Sequence, residues 1–251
     1  MTGQKLLEGR NVIVYGAGGL VGAAMSRAFA AEGARVHLAG RHRESLDPVV
    51  DDIRAAGGTA EAAEVDALDE AQVDAHADAV AAAAGSIDVS MNVISVGDVQ
   101  GTPLAELTLT DFEQPVHTAV RTTFLTARAA ARHMMRQRSG VLLFFGGIGD
   151  PVRDYSIGGF QVALAATEML QRQLSSELGR HGIRCVTIQT GGMVDGVQDQ
   201  PEILEMVTGD TMLGRGATTA DAANAAVFAA SDRASMITAS TINISGGSIL
   251  P

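Results

Sequence analysis

Short apolar runs and longer helical patterns alternate along this chain. Val12-Ile13-Val14-Tyr15 is a continuous apolar run that ends in glycines. Comparable runs follow at Arg35–Ala39, Ala60–Val65, Ile87–Ile94, Val141–Phe145, Ile183–Gln189 and Ser240–Ile244. Between them, helical patterns cover Ala23–Glu32, Ser45–Ala56, Asp69–Ala84, Thr110–Gln137 and Phe160–Gly179. Gly33 and Gly57-Gly58 close the first two helices. Apolar strands joined by helices of this length suit a parallel sheet buried on both faces. The pattern therefore predicts an α/β fold, a doubly wound parallel sheet with helices on both faces. The least regular segment is Gly191–Gly216, which holds Pro201 and the short apolar pieces Ile203-Leu204 and Met206-Val207. It reads as a flexible flap over a site, because long irregular segments in compact domains are often functional.

The 251 residues, 46% hydrophobic and 19% charged, fit one globular domain over 1–251. A net charge of -11 argues against nucleic acid as a partner, and Arg41-His42-Arg43 is only a short basic exception. No apolar run is long enough to span a bilayer, and Met1–Arg10 holds no apolar signal core. The expectation is a cytoplasmic protein that does not enter membranes. Cys185, the single cysteine, sits in a strand pattern and reads as a buried, inert thiol. No zinc-ligand spacing occurs, so no metal is expected.

The first strand runs directly into Tyr15-Gly16-Ala17-Gly18-Gly19-Leu20-Val21-Gly22, and a helix follows. That context is what a dinucleotide-binding turn needs. Gly16 permits the tight turn, its neighbours let backbone N–H groups approach a pyrophosphate, and Gly22 lets the helix pack close to the sheet. The second strand ends Leu38-Ala39-Gly40-Arg41, without the acidic residue that would hold an NAD ribose. Arg41 instead offers a planar fork to a 2′-phosphate, which favours NADP(H). The alternative for Arg41 is a solvated loop arginine.

These features, with Leu213-Gly214-Arg215, Ala230-Ser231-Asp232, Ser245-Gly246-Gly247 and Gly182-Ile183-Arg184 before Thr190-Gly191, resemble the short-chain dehydrogenase/reductase family over nearly the whole chain. The resemblance implies a single Rossmann-like domain that binds a dinucleotide and a small-molecule ligand, commonly as a homo-oligomer, dimer or tetramer. The helices Thr110–Gln137 and Phe160–Gly179 are its expected contact surfaces. The family's loop reads Thr-Gly-x-x-x-Gly-x-Gly; here Tyr15 replaces the threonine and Leu20 the middle glycine. The implied cofactor contacts are Gly16, Gly18, Gly19, Leu20, Val21, Gly22, Arg41, Asp66 and Asn92. Asp66 matches an adenine-contacting aspartate. Asn92 matches the first asparagine of the Asn-Asn-Ala-Gly strand end, where bracing the sheet is the commoner role.

The resemblance also implies four polar groups at the reaction end: a tyrosine acid/base, a lysine one helical turn later that lowers its pKa, a serine and an asparagine. Counting back from Ser176-Glu177-Leu178 puts Phe160 at the tyrosine and Leu164 at the lysine. Gly147 takes the serine position and Ala119 the asparagine position, with Arg121 and Phe124 keeping the register. None of the four side chains can move a proton. Tyr155, in the loop with Asp150, Arg153 and Asp154, is the nearest substitute acid; Gly159 stands where its lysine would be. Gln161 and Gln189 can bind a ligand but cannot cycle protons.

Three readings follow. The first is a dinucleotide-binding protein that has lost ordinary carbonyl reduction and acts as a regulatory or partner protein, or in a non-standard reaction. The second is an NADP-dependent oxidoreductase with a relocated acid such as Tyr155. The third is a structural oligomer with an empty pocket.

Overall fold

Seven parallel strands form the centre of the molecule, in a computed structural model that describes residues 5–147 and 156–250. The strands are β1 (Asn11–Tyr15), β2 (Arg35–Gly40), β3 (Thr59–Glu64), β4 (Val89–Asn92), β5 (Gly140–Phe145), β6 (Ile183–Gln189) and β7 (Ser240–Asn243). Their order across the sheet is β3-β2-β1-β4-β5-β6-β7. The chain steps outward from β1 in one direction, then returns to place β4 on its other side. The sequence order thus reverses between β1 and β4. A crevice opens at such a point beyond the carboxyl ends of the strands.

Alternation along each strand sends side chains to two separate cores. Val12 and Val14 join Val36, Leu38, Val186 and Ile188 under α1 (Leu20–Ala31), α2 (Arg43–Ala55) and α7 (Thr219–Ala230). Ile13 and Tyr15 join Leu142, Phe144 and Cys185 under α3 (Glu70–Ala84), α4 (Leu109–Gln137) and α5 (Phe160–Leu178). Burial on both faces is what the continuous apolar strand runs require. The doubly wound α/β expectation therefore holds.

Four elements differ from the sequence reading. Helix α1 begins at Leu20, because Gly19 caps it in an extended conformation (φ -80°, ψ 166°). Strand β4 stops at Asn92, whose side-chain oxygen accepts from the Ile94 N–H at 3.0 Å and turns the chain out of the sheet. Inside Gly191–Gly216, read as irregular, Pro201–Gly209 forms helix α6. Pro201 starts this helix rather than breaking it, since the first turn needs no N–H donor there. Helix α7 was not expected at all. Its Thr218 hydroxyl accepts from the Asp221 N–H while Asp221 accepts from the Thr218 N–H, a reciprocal cap.

Among the described residues, no helix is long and apolar enough to cross a membrane. Cys185 is fully buried, and burial pushes its thiol up to about 11, in keeping with an inert role.

Candidate dinucleotide and reaction site

The crevice begins at the turn after β1. Gly16 has φ +82°, and a Cβ there would lie 2.8 Å from the Val93 carbonyl oxygen at the end of β4. A Cβ at Gly22 would run into the carbonyl oxygen of Gly16, and one at Gly18 into the Ser45 hydroxyl. The turn is therefore pressed against β4, against the start of α2 and against its own helix. Gly19 caps α1 with no side-chain acceptor, and the first turn carries no acidic residue. The first N–H groups of a helix lack partners within it, and they carry its positive partial charge. An uncapped N-terminus beside a glycine turn fits the pyrophosphate of a dinucleotide. Leu20 is 54% exposed at this mouth, and a Cβ on Gly196 would lie 3.1 Å from its Cδ2 atom. The segment after β6 therefore comes across the top of the turn beside Leu20. Val21 is half-buried next to it.

At the end of β2, two arginines have different surroundings. Arg43 is held by Asp47 at 2.6 Å and by the Ala62 carbonyl oxygen at 2.7 Å. Arg41 is exposed and makes no hydrogen bond or ion pair among the described residues. Asp66 lies half-buried after β3, and its Oδ1 accepts from the Leu68 N–H at 3.0 Å. Asn92 donates to Thr122 Oγ1 at 3.1 Å and to Thr126 Oγ1 at 3.4 Å. It ties β4 to α4, which is the bracing role weighed from the sequence.

The floor of the crevice lies beyond β5 and β6. Gly146 and Gly147 follow β5 with φ of +122° and +127°, a region that favours glycine. A Cβ on Gly146 would lie 2.6 Å from Leu164 Cδ2, and one on Gly147 would lie 2.6 Å from Gln189 Cγ. Leu164 stands on α5 one turn after Phe160, so both occupy the same helix face. Ala119 is buried on α4, three residues before Thr122. Gly159, which caps α5, is packed against the Phe112 carbonyl and 3.0 Å from Pro115 Cγ in the Cβ sense, so α5 starts directly on α4. Leu164 and the Gly146–Gly147 step thus meet at one spot, with Gln189 closing it from β6. Tyr155, Asp150, Arg153 and Asp154 lie outside the described residues. Two histidines of α4 are held elsewhere or solvated: His117 is exposed, and His133 pairs with Asp78 at 2.7 Å.

Comparison with known proteins bears directly on this geometry. Residues 16–248 match the family model described as Enoyl-(Acyl carrier protein) reductase. The chain belongs to the short-chain dehydrogenase/reductase family. It is 30% identical to a 7alpha-hydroxysteroid dehydrogenase of Clostridium sardiniense, over 97% of this chain and 94% of that one. It is 29% identical to the uncharacterized oxidoreductase YxbG of Bacillus subtilis (strain 168), over 96% and 91% of the two chains. Among solved structures, a short-chain type dehydrogenase/reductase from Mycobacterium marinum superposes with a TM-score of 0.88 at 27% identity, covering 99% and 98% of the chains. A 7 alpha-hydroxysteroid dehydrogenase complexed with NADH and 7-oxo glycochenodeoxycholic acid does so with 0.86 at 26%, covering 99% and 97%. These relatives are named as oxidoreductases, which favours the working-oxidoreductase reading over a non-redox or purely structural one.

Within this short-chain dehydrogenase/reductase, Tyr15 has a role that the glycine pattern did not suggest. Its ring is buried and meets His76 of α3 edge-on, at 5.6 Å between centroids and 80° between planes. Tyr15 Oη lies 3.3 Å from His76 Nδ1. Burial, assisted by Asp74, raises the Tyr15 pKa, so the hydroxyl stays protonated. Burial lowers His76 to about 4, with His37 adding to the effect. The loop's first residue is therefore anchored by a neutral pair on the face of the sheet covered by α3. No local sequence signal links residues 15 and 76. Ser45 against Gly18 was missed for the same reason. Among the described residues, no cluster of three His, Cys, Asp or Glu side chains could hold a metal ion.

Proposed function

We propose that this protein is an NADP(H)-dependent oxidoreductase of hydroxyl and carbonyl compounds that handles protons without the family's tyrosine–lysine couple. The observation that carries the cofactor reading is the uncapped N-terminus of α1 behind the Gly16–Gly22 turn, with Arg41, after the neighbouring strand β2, exposed and unpaired among the described residues. The α1 amides bind the pyrophosphate, and Arg41 takes the 2′-phosphate through a bidentate contact. Gly16, Gly18, Gly19, Leu20, Val21 and Gly22 line the phosphates, Asp66 faces the adenine end, and Asn92 holds the end of β4 in place. A bound nicotinamide supplies or accepts the hydride. Phe160 and Leu164 wall that end and exclude water. Gly147 and Ala119 add no acid or base there. The proton then comes from Tyr155, which no lysine activates, so turnover is slow. The whole unit, 1–251, works as one domain with 191–216 as a flap, and copies pair through α4 and α5, where Phe124, Val162 and Met169 are exposed.

A second reading has a specific observation in its favour. All four positions that would carry proton traffic hold apolar or side-chain-free residues, which leaves no buried polar group without a partner there. A dinucleotide-binding protein without turnover has the same features. Assay of NADPH oxidation on a carbonyl panel separates the two. The oxidoreductase reading expects slow, protein-dependent turnover that Tyr155→Phe abolishes or sharply reduces. NADPH binding with no turnover on any carbonyl would sink it and leave the second reading.

A further inference from the structure

Leu20 is the residue at which the glycine turn and the segment after β6 meet. A Cβ on Gly196 would lie 3.1 Å from Leu20 Cδ2. A carbon–carbon bond is about 1.5 Å long, so the Leu20 methyl stands no more than about 4.6 Å from the Gly196 Cα, in apolar contact with it. Gly196 has a φ of +85° and is the third residue of a turn, closed by the Val197 N–H donating to the Val194 carbonyl oxygen at 3.3 Å. The same turn is anchored on its other side. The Val194 N–H donates to the Ala217 carbonyl oxygen at 2.9 Å, Met193 bridges to Ala217, and the Asp195 carboxylate accepts from the Thr219 N–H at the start of α7. The segment therefore runs across from the start of α7 and sets its tip on the first residue of α1.

Leu20 also belongs to the phosphate end. The N–H groups of Leu20, Val21 and Gly22 make no hydrogen bond among the described residues; the Ala23 N–H is the first of α1 to find a partner, the Gly19 carbonyl oxygen at 2.8 Å. Side chains of a helix lean toward its N-terminus, so Leu20 reaches out over these three donors. A glycine at this position would leave that space open. We propose that Leu20 is an apolar latch: it holds the 194–197 turn down on the start of α1, and a dinucleotide pyrophosphate reaches the α1 amides only when the Leu20–Gly196 contact opens. The latch rests on the dinucleotide reading of the glycine turn. The closed form does not bind, so the apparent affinity is scaled by the fraction of the protein that is open.

The test uses the full chain and the variant Leu20→Ala, which keeps a good helix former and removes the methyl groups that touch Gly196. Without dinucleotide, hydrogen exchange at the Val194 and Val197 amides is expected to rise about 2–5-fold, the equilibrium weight of one buried methyl group. Exchange at Ala222 and Ala226 of α7 should stay as in the wild type, which shows that the fold is intact. NADPH association, followed by stopped-flow fluorescence, should become faster, and the NADPH Kd should tighten by the same factor. Leu20→Met keeps the apolar reach and should retain wild-type exchange and affinity. Unchanged exchange in Leu20→Ala, with NADPH binding intact, would overturn the latch alone. Faster exchange with an unchanged or weaker NADPH Kd would mean that the contact does not control entry, and would equally overturn it. No NADPH binding by the wild type would overturn the dinucleotide reading, and the latch with it.

Discussion

A Cβ at Gly22 would run into the carbonyl oxygen of Gly16, one turn back in the same loop. The oxygen is a backbone atom and a Cβ is bonded directly to the backbone, so neither can swing aside. Gly22→Ala is expected to cost about 1–3 kcal/mol in urea unfolding, the usual cost of overpacking, and to weaken NADPH binding in parallel. Behind that loop, the Tyr15–His76 pair gives the protein a pH dependence whose sign can be worked out. His76 falls from 6.5 in the unfolded chain to about 4 in the fold, because burial disfavours its charged form. Between those values the unfolded chain holds a proton that the folded chain does not. Stability from this group is therefore complete above about pH 6.5 and declines as the pH falls toward 4, by up to about 3 kcal/mol. His37, buried and also lowered by desolvation, adds in the same direction. Urea unfolding of His76→Gln across this range should show a shallower acid decline than the wild type; identical slopes would exclude His76 as a contributor. At this scale, glycines of the turn were legible because sterics at a strand–helix junction are local. The Tyr15–His76 and Gly18–Ser45 contacts were not, because each joins residues from separate elements.

Helix α7 shows what hydrophobic periodicity leaves out. Its sequence, Thr219–Ala230, is mostly alanine, so apolar and polar faces differ little in side-chain size. Yet Ala222, Ala223, Ala226 and Ala229 are buried, and the helix packs on α1 behind the glycine turn. Small side chains let the two helices approach closely, which periodicity alone does not report. The cap at Thr218 was legible in principle, as a threonine three residues before an aspartate. The Arg215 guanidinium, 2.8 Å from Asp221, holds that carboxyl well below the usual carboxylate range and keeps the cap charged. Thr218→Ala should cost about 1 kcal/mol of stability in urea unfolding. A change under a few tenths of a kcal/mol would mean that tertiary packing alone fixes the start of α7. In Gly191–Gly216, Pro201 suggested irregular chain, but a proline at a helix start is compatible with α6. The longer, more polar helices α2, α3 and α4 were read to within a few residues, because caps and breakers bracket them.

Across the whole molecule, the strand order places the carboxyl ends of β1 and β4 side by side, and the described residues of the glycine turn, with Arg41, Asp66, Asn92 and Gly147, follow or end strands at that edge of the sheet. The architecture was legible because the buried central strands and their crossovers leave a strong apolar signal. The substrate was not, because the reaction floor is assembled from β5, β6 and α5, and its shape depends on side chains far apart in the chain. The proposed cofactor choice belongs to this scale too, since Arg41 follows β2 and the α1 amides follow the neighbouring strand β1. Loss of one exposed charge-assisted contact should weaken NADPH binding about tenfold in Arg41→Ala and leave NADH binding nearly unchanged. Titration of the wild type and Arg41→Ala with NADPH and NADH, read by fluorescence and by thermal shift, therefore tests the central claim. The expected result is saturable NADPH binding that raises the Tm and is selectively weakened by the substitution. No saturable binding of either dinucleotide would contradict it.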